Sequence, residues 1–263
     1  MLIAVTRAIS PSFANGERTH IDRQPIDLAA AHKEHRAYED ALRELGATIV
    51  RAADAPDQPD AVFVEDTALV LDEVAVITRP GARSRRPETT AIAEVLSTHR
   101  QLLHLQAPAT LDGGDVVRLG RVLYVGVSSR TNTDAITQLR SLLAAWEYRV
   151  VPVEVTGCLH LKSAVTAIGK SRLLINRAWT DPSAFAATEL IDVAEGESFG
   201  ANALLVRDSV IYPEHFARTA ERLEQAGITV IRTPCREIAK AEGAVTCCSL
   251  VFESKQGLAP LTT

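Results

Sequence analysis

The sequence predicts an α/β fold in which about five similar units, each a β-hairpin followed by a helix and a further strand, close into a ring. Three observations carry this. Pairs of short apolar runs joined by tight turns recur at intervals of roughly 40–50 residues, the spacing of repeat architectures. The last such pair, near the C-terminus, is incomplete, and the N-terminal strand, helix and strand are the parts it lacks. A polar or thiol-bearing stretch stands just ahead of every hairpin. One such unit cannot bury its own apolar face, which favours a ring or array of stacked units, with an ordinary α/β sandwich as the alternative on pattern alone. No linker or shift in composition divides the 263 residues, and one domain spanning 1–263 is expected.

Taken in order, Leu2 to Val5 reads as a buried strand. The stretch from Ala8 to Pro25, rich in Ser, Pro, Asn and Gly at first, is long for a structureless loop and is either a lid or a floppy connection. Asp27 caps a helix whose apolar residues Leu28, Ala31, Tyr38, Leu42 and Leu45 follow a helical period, and Gly46 ends it before the strand Ala47 to Val50. The first hairpin pairs Thr67 to Leu71 with Val74 to Thr78, followed by a helix from Pro87 to His99 and a strand from Gln101 to His104. The second pairs Val116 to Leu119 with Val122 to Val125, then a helix with Ile136, Leu139, Leu143 and Trp146 on one face, then the strand Tyr148 to Val153. The third pairs Ala164 to Ile168 with Arg172 to Ile175, and a weaker helix from Pro182 to Leu190 follows. The fourth pairs Ala203 to Val206 with Val210 to Tyr212, then a helix carrying Phe216, Ala220, Leu223 and Ala226 stops at Gly227 before the strand Ile228 to Ile231. Cys248 to Phe252 opens the fifth.

Composition removes several function classes. A net charge of −5 and a pI near 5.8 leave no basic surface for nucleic acid or an anionic membrane, and favour a small, cationic partner. No apolar run approaches the length of a membrane span, and the first residues lack the pattern of a signal peptide. The four cysteines include no CxxC pair, and Cys247 and Cys248 are adjacent, so free thiols in a reducing cytoplasm are expected. Oligomeric state is not written in the sequence, and a homodimer is compatible with it.

The stretches ahead of the hairpins hold the chemistry. They contain Phe63-Val64-Glu65-Asp66, Leu111-Asp112-Gly113-Gly114-Asp115, Leu159-His160-Leu161-Lys162, Phe199-Gly200-Ala201-Asn202 and Thr246-Cys247. In a closed ring, equivalent positions meet near the axis, so one thiol, one imidazole, one amide and several carboxylates would line a single cavity. Glu65 and Asp66 lie between apolar runs, and burying unpaired carboxylates costs several kcal/mol, which favours a cationic partner over solvated turn residues. Asp112 to Asp115 reads either as a plain turn or as an acidic site; without a Lys-Ser/Thr pair it is not a phosphate loop. His160 stands in an apolar run, where a lone histidine is more often a satisfied core residue than a catalytic one. The ligand spacing of a zinc site is missing, and no metal is expected. The basic run Arg79 to Arg86, and Arg130 at a helix start, are either solvated or present a guanidinium to a ligand carboxylate.

Together these motifs, in this order from Asp60 to Phe252, resemble the guanidine-modifying superfamily of pentein enzymes, and within it the dimethylarginine dimethylaminohydrolases. The resemblance implies a five-bladed α/β propeller (pentein) around a central active-site cavity, and hydrolysis of Nω-methylated arginine to citrulline and a methylamine through a covalent S-alkylthiouronium. By position it puts the nucleophile on Cys247, the general acid/base on His160 and its supporting carboxylate on Asp112. It implies that Glu65 and Asp66 hold the guanidinium and that Asp60, Phe63, Arg85 and Arg130 complete the substrate site, with Asp60, Arg85 and Arg130 gripping the amino-acid end. It implies that Ala8 to Asp22 is a mobile lid and that no cofactor is required. The partner is then a small guanidino amino acid. The alternative within the superfamily is an arginine or agmatine deiminase or an arginine dihydrolase; a non-catalytic binding protein of the same fold has no need of the Cys247, His160 and Asp112 set.

Overall fold

Each of the five expected units folds as one three-stranded sheet in the computed structural model, which describes residues 1–185 and 189–254. The N-terminal strand β1 (Leu2–Thr6) leads through the lid stretch to α1 (Leu28–Glu44) and β2 (Thr48–Arg51). The first complete unit is β3 (Ala68–Val70), β4 (Val74–Ile77), α2 (Thr89–Ser97) and β5 (Gln101–His104). The second is β6 (Val116–Leu119), β7 (Val122–Val127), α3 (Thr133–Leu143) and β8 (Arg149–Glu154). A single helical turn, α4 (Leu161–Ala164), opens the third, which continues with β9 (Val165–Ala167), β10 (Arg172–Ile175) and β11 (Glu189–Asp192). The fourth is β12 (Leu204–Val206), β13 (Ser209–Pro213), α5 (Ala217–Gln225) and β14 (Thr229–Thr233), after which α6 (Arg236–Ala239) leads to β15 (Leu250–Glu253).

In every sheet a central strand pairs antiparallel with its hairpin partner and parallel with the strand beyond. The parallel pairing demands a crossover, which the intervening helix supplies in four of the five units. The two ends of the chain close the last sheet: β15 pairs antiparallel with β1, setting Leu2 opposite Glu253, while β1 runs parallel to β2. The Met1 amino group donates to the Ser254 carbonyl oxygen at 2.9 Å, standing where a hairpin turn would otherwise be.

The core lies in five parcels at the joints between neighbouring sheets. Ile3, Val5 and Phe252 of the closing sheet pack on Ala75, Ile77, Ile92 and Leu96 of the next unit. Leu69, Val74 and Val76 of that unit meet Leu123, Val125, Ile136 and Leu139 of the second, and the pattern continues round to Val206 and Ile211 against α1 and α6. Each unit therefore depends on two neighbours to stay dry, which is why the ring must close.

Three expectations change. The weak helix from Pro182 to Leu190 is a 3-10 turn over Pro182–Phe185 followed by β11, with 186–188 outside the described residues. Leu190 and Ile191 take up a strand there because β10 offers them a parallel edge, a tertiary contact that outweighs a weak helical pattern. The fifth strand begins at Leu250, not Cys248; Cys247 and Cys248 lie in a turn where the Cys247 N–H donates to the Ala244 carbonyl. The lid stretch is no floppy connection, since Ile9, Ser10 and Phe13 are buried and a 3-10 turn covers Phe13–Asn15.

Candidate active site

The polar stretch ahead of each hairpin ends in a tight turn, and the five turns are tied into a closed circle of hydrogen bonds. The Gly114 N–H donates to Asp66 Oδ1 at 2.9 Å, and the Leu161 N–H to Asp115 Oδ1 at 2.9 Å. Asn202 Nδ2 donates to the Lys162 carbonyl at 3.2 Å, while its Oδ1 accepts the Thr246 N–H at 3.1 Å. The Glu65 N–H completes the circle on the Cys247 carbonyl at 3.1 Å. Every link joins one unit to the next, so the side chains on these turns are brought together by ring closure itself.

Cys247, His160, Asp66, Asp60, Phe63, Arg85 and Arg130 line one cavity of about 20 Å³. Behind His160, its Nε2 lies 3.0 Å from Asp112 Oδ2, and Asp112 Oδ1 accepts the Gly81 N–H at 2.9 Å. On the other side of the ring, His160 Nδ1 lies 4.0 Å from Asp66 Oδ1. Gly114 is required here: a Cβ at that position would sit 2.6 Å from His160 Nδ1 and 2.9 Å from Asp66 Oδ1. Asp115, wholly buried, accepts from Ser128 and Thr131 hydroxyls at 2.6 Å each as well as from the Leu161 N–H, which anchors the turn that carries His160.

The electrostatics follow from this packing. Burial works against an imidazolium at His160, but Asp66, the Asp112 hydrogen bond and Asp115 outweigh it and push the pKa up to about 9. Burial likewise opposes the Asp66 carboxylate, and His160⁺ with Arg85 overcomes it, holding Asp66 below the usual range. Burial, then Glu65 and Asp66, push the Cys247 thiol up. These shifts favour a neutral thiol at Cys247 and a cation at His160, and both side chains line the same cavity. Ligand atoms of Asp66, Asp112 and His160 lie within 4.8 Å of one another, near enough to hold a cation. Both carboxylates, however, already face His160⁺ and accept protein N–H groups, which leaves a metal ion little to neutralise.

Two sequence expectations need correction. Glu65 and Asp66 do not line the same cavity, although both disfavour the Cys247 thiolate. In a 3-10 turn consecutive side chains point about 120° apart, and Glu65 turns away to accept from Lys162 Nζ at 2.6 Å and Thr246 Oγ1 at 2.7 Å. It lines a separate cavity of about 290 Å³ among the sheets and not the one that holds Cys247. Arg85 does line the site, but its guanidinium is committed: to Asp66 Oδ2, to both Glu88 oxygens, and to the Asp60 and Phe63 carbonyls at 3.2 and 3.0 Å. Arg130 is freer, donating from Nη2 to Thr19 Oγ1 at 3.1 Å, with Nη1 3.8 Å from Asp112.

The lid stretch covers the cavity. The Glu17 N–H donates to Asp60 Oδ2 at 2.9 Å, and Phe13 packs on Phe63 with ring centroids 5.9 Å apart. A Cβ on Gly16 would lie 2.1 Å from Asp60 Oδ1, so only glycine lets the backbone approach this closely. The space beside Cys247, about 20 Å³, is smaller than an amino acid.

The family model for N,N dimethylarginine dimethylhydrolase, eukaryotic, matches residues 14–252. The chain belongs to the dimethylarginine dimethylaminohydrolase family. It is 39% identical over 250 residues to the N(G),N(G)-dimethylarginine dimethylaminohydrolase of Streptomyces coelicolor, covering 94% of this chain and 95% of that one. To the enzyme of the same name from Pseudomonas aeruginosa it is 34% identical over 228 residues, covering 86% and 90%. A structure of the Pseudomonas aeruginosa protein, a mutant complexed with citrulline, matches with a TM-score of 0.90 at 32% identity over 95% of this chain and 98% of that one. The N-terminal domain of an arginine dihydrolase matches with a TM-score of 0.83 at 21% identity, over 96% and 98%, a likeness of fold. The fold is therefore the five-bladed α/β propeller that the motifs implied.

Several residues of this dimethylarginine dimethylaminohydrolase-family site were not singled out from the sequence. Glu88 stands three residues after Arg85, a spacing that flags an ion pair once the segment is known to be helical. Asp115 was in view as part of its motif. Glu17 and Glu242 carry no local signal, because Glu17 reaches Asp60 and Glu242 reaches Thr19, far away in sequence.

Proposed function

We propose that the chain hydrolyses Nω-methylated arginine to citrulline and a methylamine by covalent catalysis at Cys247. The observation that supports this most is one lidded cavity onto which a thiol, a histidine held as a cation and a carboxylate all open. A guanidinium carbon is a poor electrophile, so the reaction needs a strong nucleophile, a fixed cation and a proton for the leaving amine.

Asp66 is assigned the substrate guanidinium, held by charge-assisted hydrogen bonds. Arg85, saturated by Asp66 and Glu88, keeps Asp66 ionised and in place, and Arg130 receives the substrate carboxylate. Bringing a cation beside Cys247 offsets the burial and the acidic surroundings that disfavour its thiolate, so the nucleophile ionises when substrate is bound and its proton passes to solvent. The thiolate then forms a C–S bond to the guanidinium carbon, giving a tetrahedral adduct. His160, kept charged by Asp66 and Asp112, gives its proton to the departing nitrogen as the C–N bond breaks, leaving the S-alkylthiouronium. The neutral His160 next takes a proton from water as it attacks. As the C–S bond breaks, the adduct's hydroxyl gives its proton to solvent and becomes the carbonyl of citrulline, and the thiolate is regenerated.

Free guanidino amino acids in the cytoplasm are the proposed substrates, with a homodimer as the proposed assembly. The deciding experiment measures citrulline release from asymmetric dimethylarginine, monomethylarginine and arginine, with Cys247→Ser alongside. Turnover of the methylated substrates that vanishes in the variant supports the assignment. Turnover of arginine alone moves the chain to the deiminase or dihydrolase chemistry, and no citrulline from any of the three overturns the substrate class.

A further inference from the structure

We propose that Glu242 is a positioning residue that latches the lid shut and, through Thr19, aims Arg130 at the amino-acid end of the substrate; the second half rests on the function proposed above. Glu242 follows α6, and its side chain is only 6% exposed. Its two carboxylate oxygens accept two consecutive lid amides, the Thr19 N–H at Oε2 and the His20 N–H at Oε1, each at 2.7 Å. His20 Nδ1 stands 3.6 Å from Oε1, and Arg18 Nε donates to the neighbouring Lys240 carbonyl at 2.9 Å. The turn after α6 is thus the plate on which lid residues 18–20 rest.

The backbone of that turn shows what the carboxylate is for. The Gly243 N–H donates to the Ile238 carbonyl and the Glu242 N–H to the Ala239 carbonyl, the hydrogen-bond pair of a Schellman helix ending. Its left-handed residue, at φ 60°, is Glu242. Glycine ordinarily takes this position because a Cβ is disfavoured there. A glutamate held in a disfavoured conformation, buried, with both oxygens on the lid, is placed for what its side chain grips and not for the helix it ends.

The grip reaches the site in one further step. Thr19, whose amide Glu242 holds, accepts the Arg130 Nη2 hydrogen through its hydroxyl, and both Glu242 and Arg130 line the cavity that holds Cys247. Closing the lid therefore also sets the guanidinium that is to meet the substrate carboxylate. Glu242 also borders a neighbouring, mainly apolar cavity of about 260 Å³ that the lid residue Ile21 lines, so both cavities change when this contact opens.

The test uses Glu242→Gly, a change that suits the helix ending and removes only the side chain, together with Glu242→Gln and Thr19→Val. Glu242→Gly is expected to melt at or above the wild-type temperature, to raise KM for methylarginine about tenfold with kcat within about threefold, and to speed tryptic cleavage after Arg18 and Arg23 about tenfold. Glu242→Gln, which keeps one acceptor oxygen, is expected to fall between. Thr19→Val is expected to raise KM while leaving the cleavage rate as in the wild type, since its amide remains on Glu242. Unchanged KM and cleavage rate in Glu242→Gly overturn the latch, and so does a lower melting temperature with an unchanged KM, which marks a purely structural residue. If the wild type turns over no guanidino amino acid, the function above fails, and the cleavage rates alone decide the latch.

Discussion

His160 Nε2 lies 3.0 Å from Asp112 Oδ2, and that carboxylate is wholly buried. The contact fixes which ring nitrogen keeps its proton: Nε2 stays bonded to Asp112, and Nδ1, toward Asp66, is left for proton transfer. Because His160 must be charged to protonate the leaving amine, kcat/KM is expected to fall on the alkaline side through the pKa of about 9. In Asp112→Asn the anion is lost, so the alkaline limb is expected to move down by about one unit and the rate to drop by about 10²–10³. A pH–rate profile of both proteins checks this; an alkaline limb at the same pH in the variant contradicts the assignment.

The same raised pKa predicts how stability depends on pH. Below pH 6.5 the imidazole is charged in both folded and unfolded chains, and the full favourable contribution is present. Between 6.5 and about 9 the unfolded chain releases the proton first, so the folded state binds more protons and stability falls with rising pH. The loss from this group amounts to about 3 kcal/mol over that range. Urea unfolding at pH 6.5, 7.5 and 8.5 is expected to show the decline in the wild type and a clearly flatter profile in His160→Asn. Equal slopes in the two proteins would remove His160 as the source.

Glu65 and Lys162 form an ion pair at 2.6 Å, with their side chains 8% and 21% exposed. Lys162→Met leaves a buried carboxylate without its cation and is expected to cost about 2–3 kcal/mol at neutral pH. The penalty should shrink toward pH 5, because the stranded Glu65 escapes it by taking up a proton. The double variant Glu65→Gln, Lys162→Met is expected to regain most of the stability. Its kcat/KM should change far less than that of Asp66→Asn, for which a loss of more than about 10² is expected, since only Asp66 faces the cavity. Denaturant titration with steady-state kinetics separates the two acidic neighbours; equal activity losses would restore the pairing expected from sequence.

The fold was legible because it repeats. Five hairpins with a common spacing, and an N-terminal segment that completes the last of them, specify a ring even where one unit is weak. The misreadings fall where a segment's partner is remote. The expected helix runs on to Leu190 because the parallel edge of β10, which makes Leu190 part of a strand, is not visible in local periodicity. The start of β15 was placed two residues early because the turn at Cys247 is held by contacts to Ala244 and Glu65, not by a Gly or Pro signal.

Composition, periodicity and motif order by themselves determined the class of fold, the closure by the two ends of the chain, and the residue types gathered at the axis. Those properties are local or repetitive, and a pattern in the chain records them directly. Only the tertiary structure decided which oxygen faces which nitrogen. It separated Glu65 from Asp66 because adjacent side chains on a 3-10 turn diverge. It showed Arg85 occupied because Glu88 and two carbonyls reach it first. It joined Glu242 to Thr19 across more than two hundred residues, through a helix ending and a lid that meet only once the ring has closed.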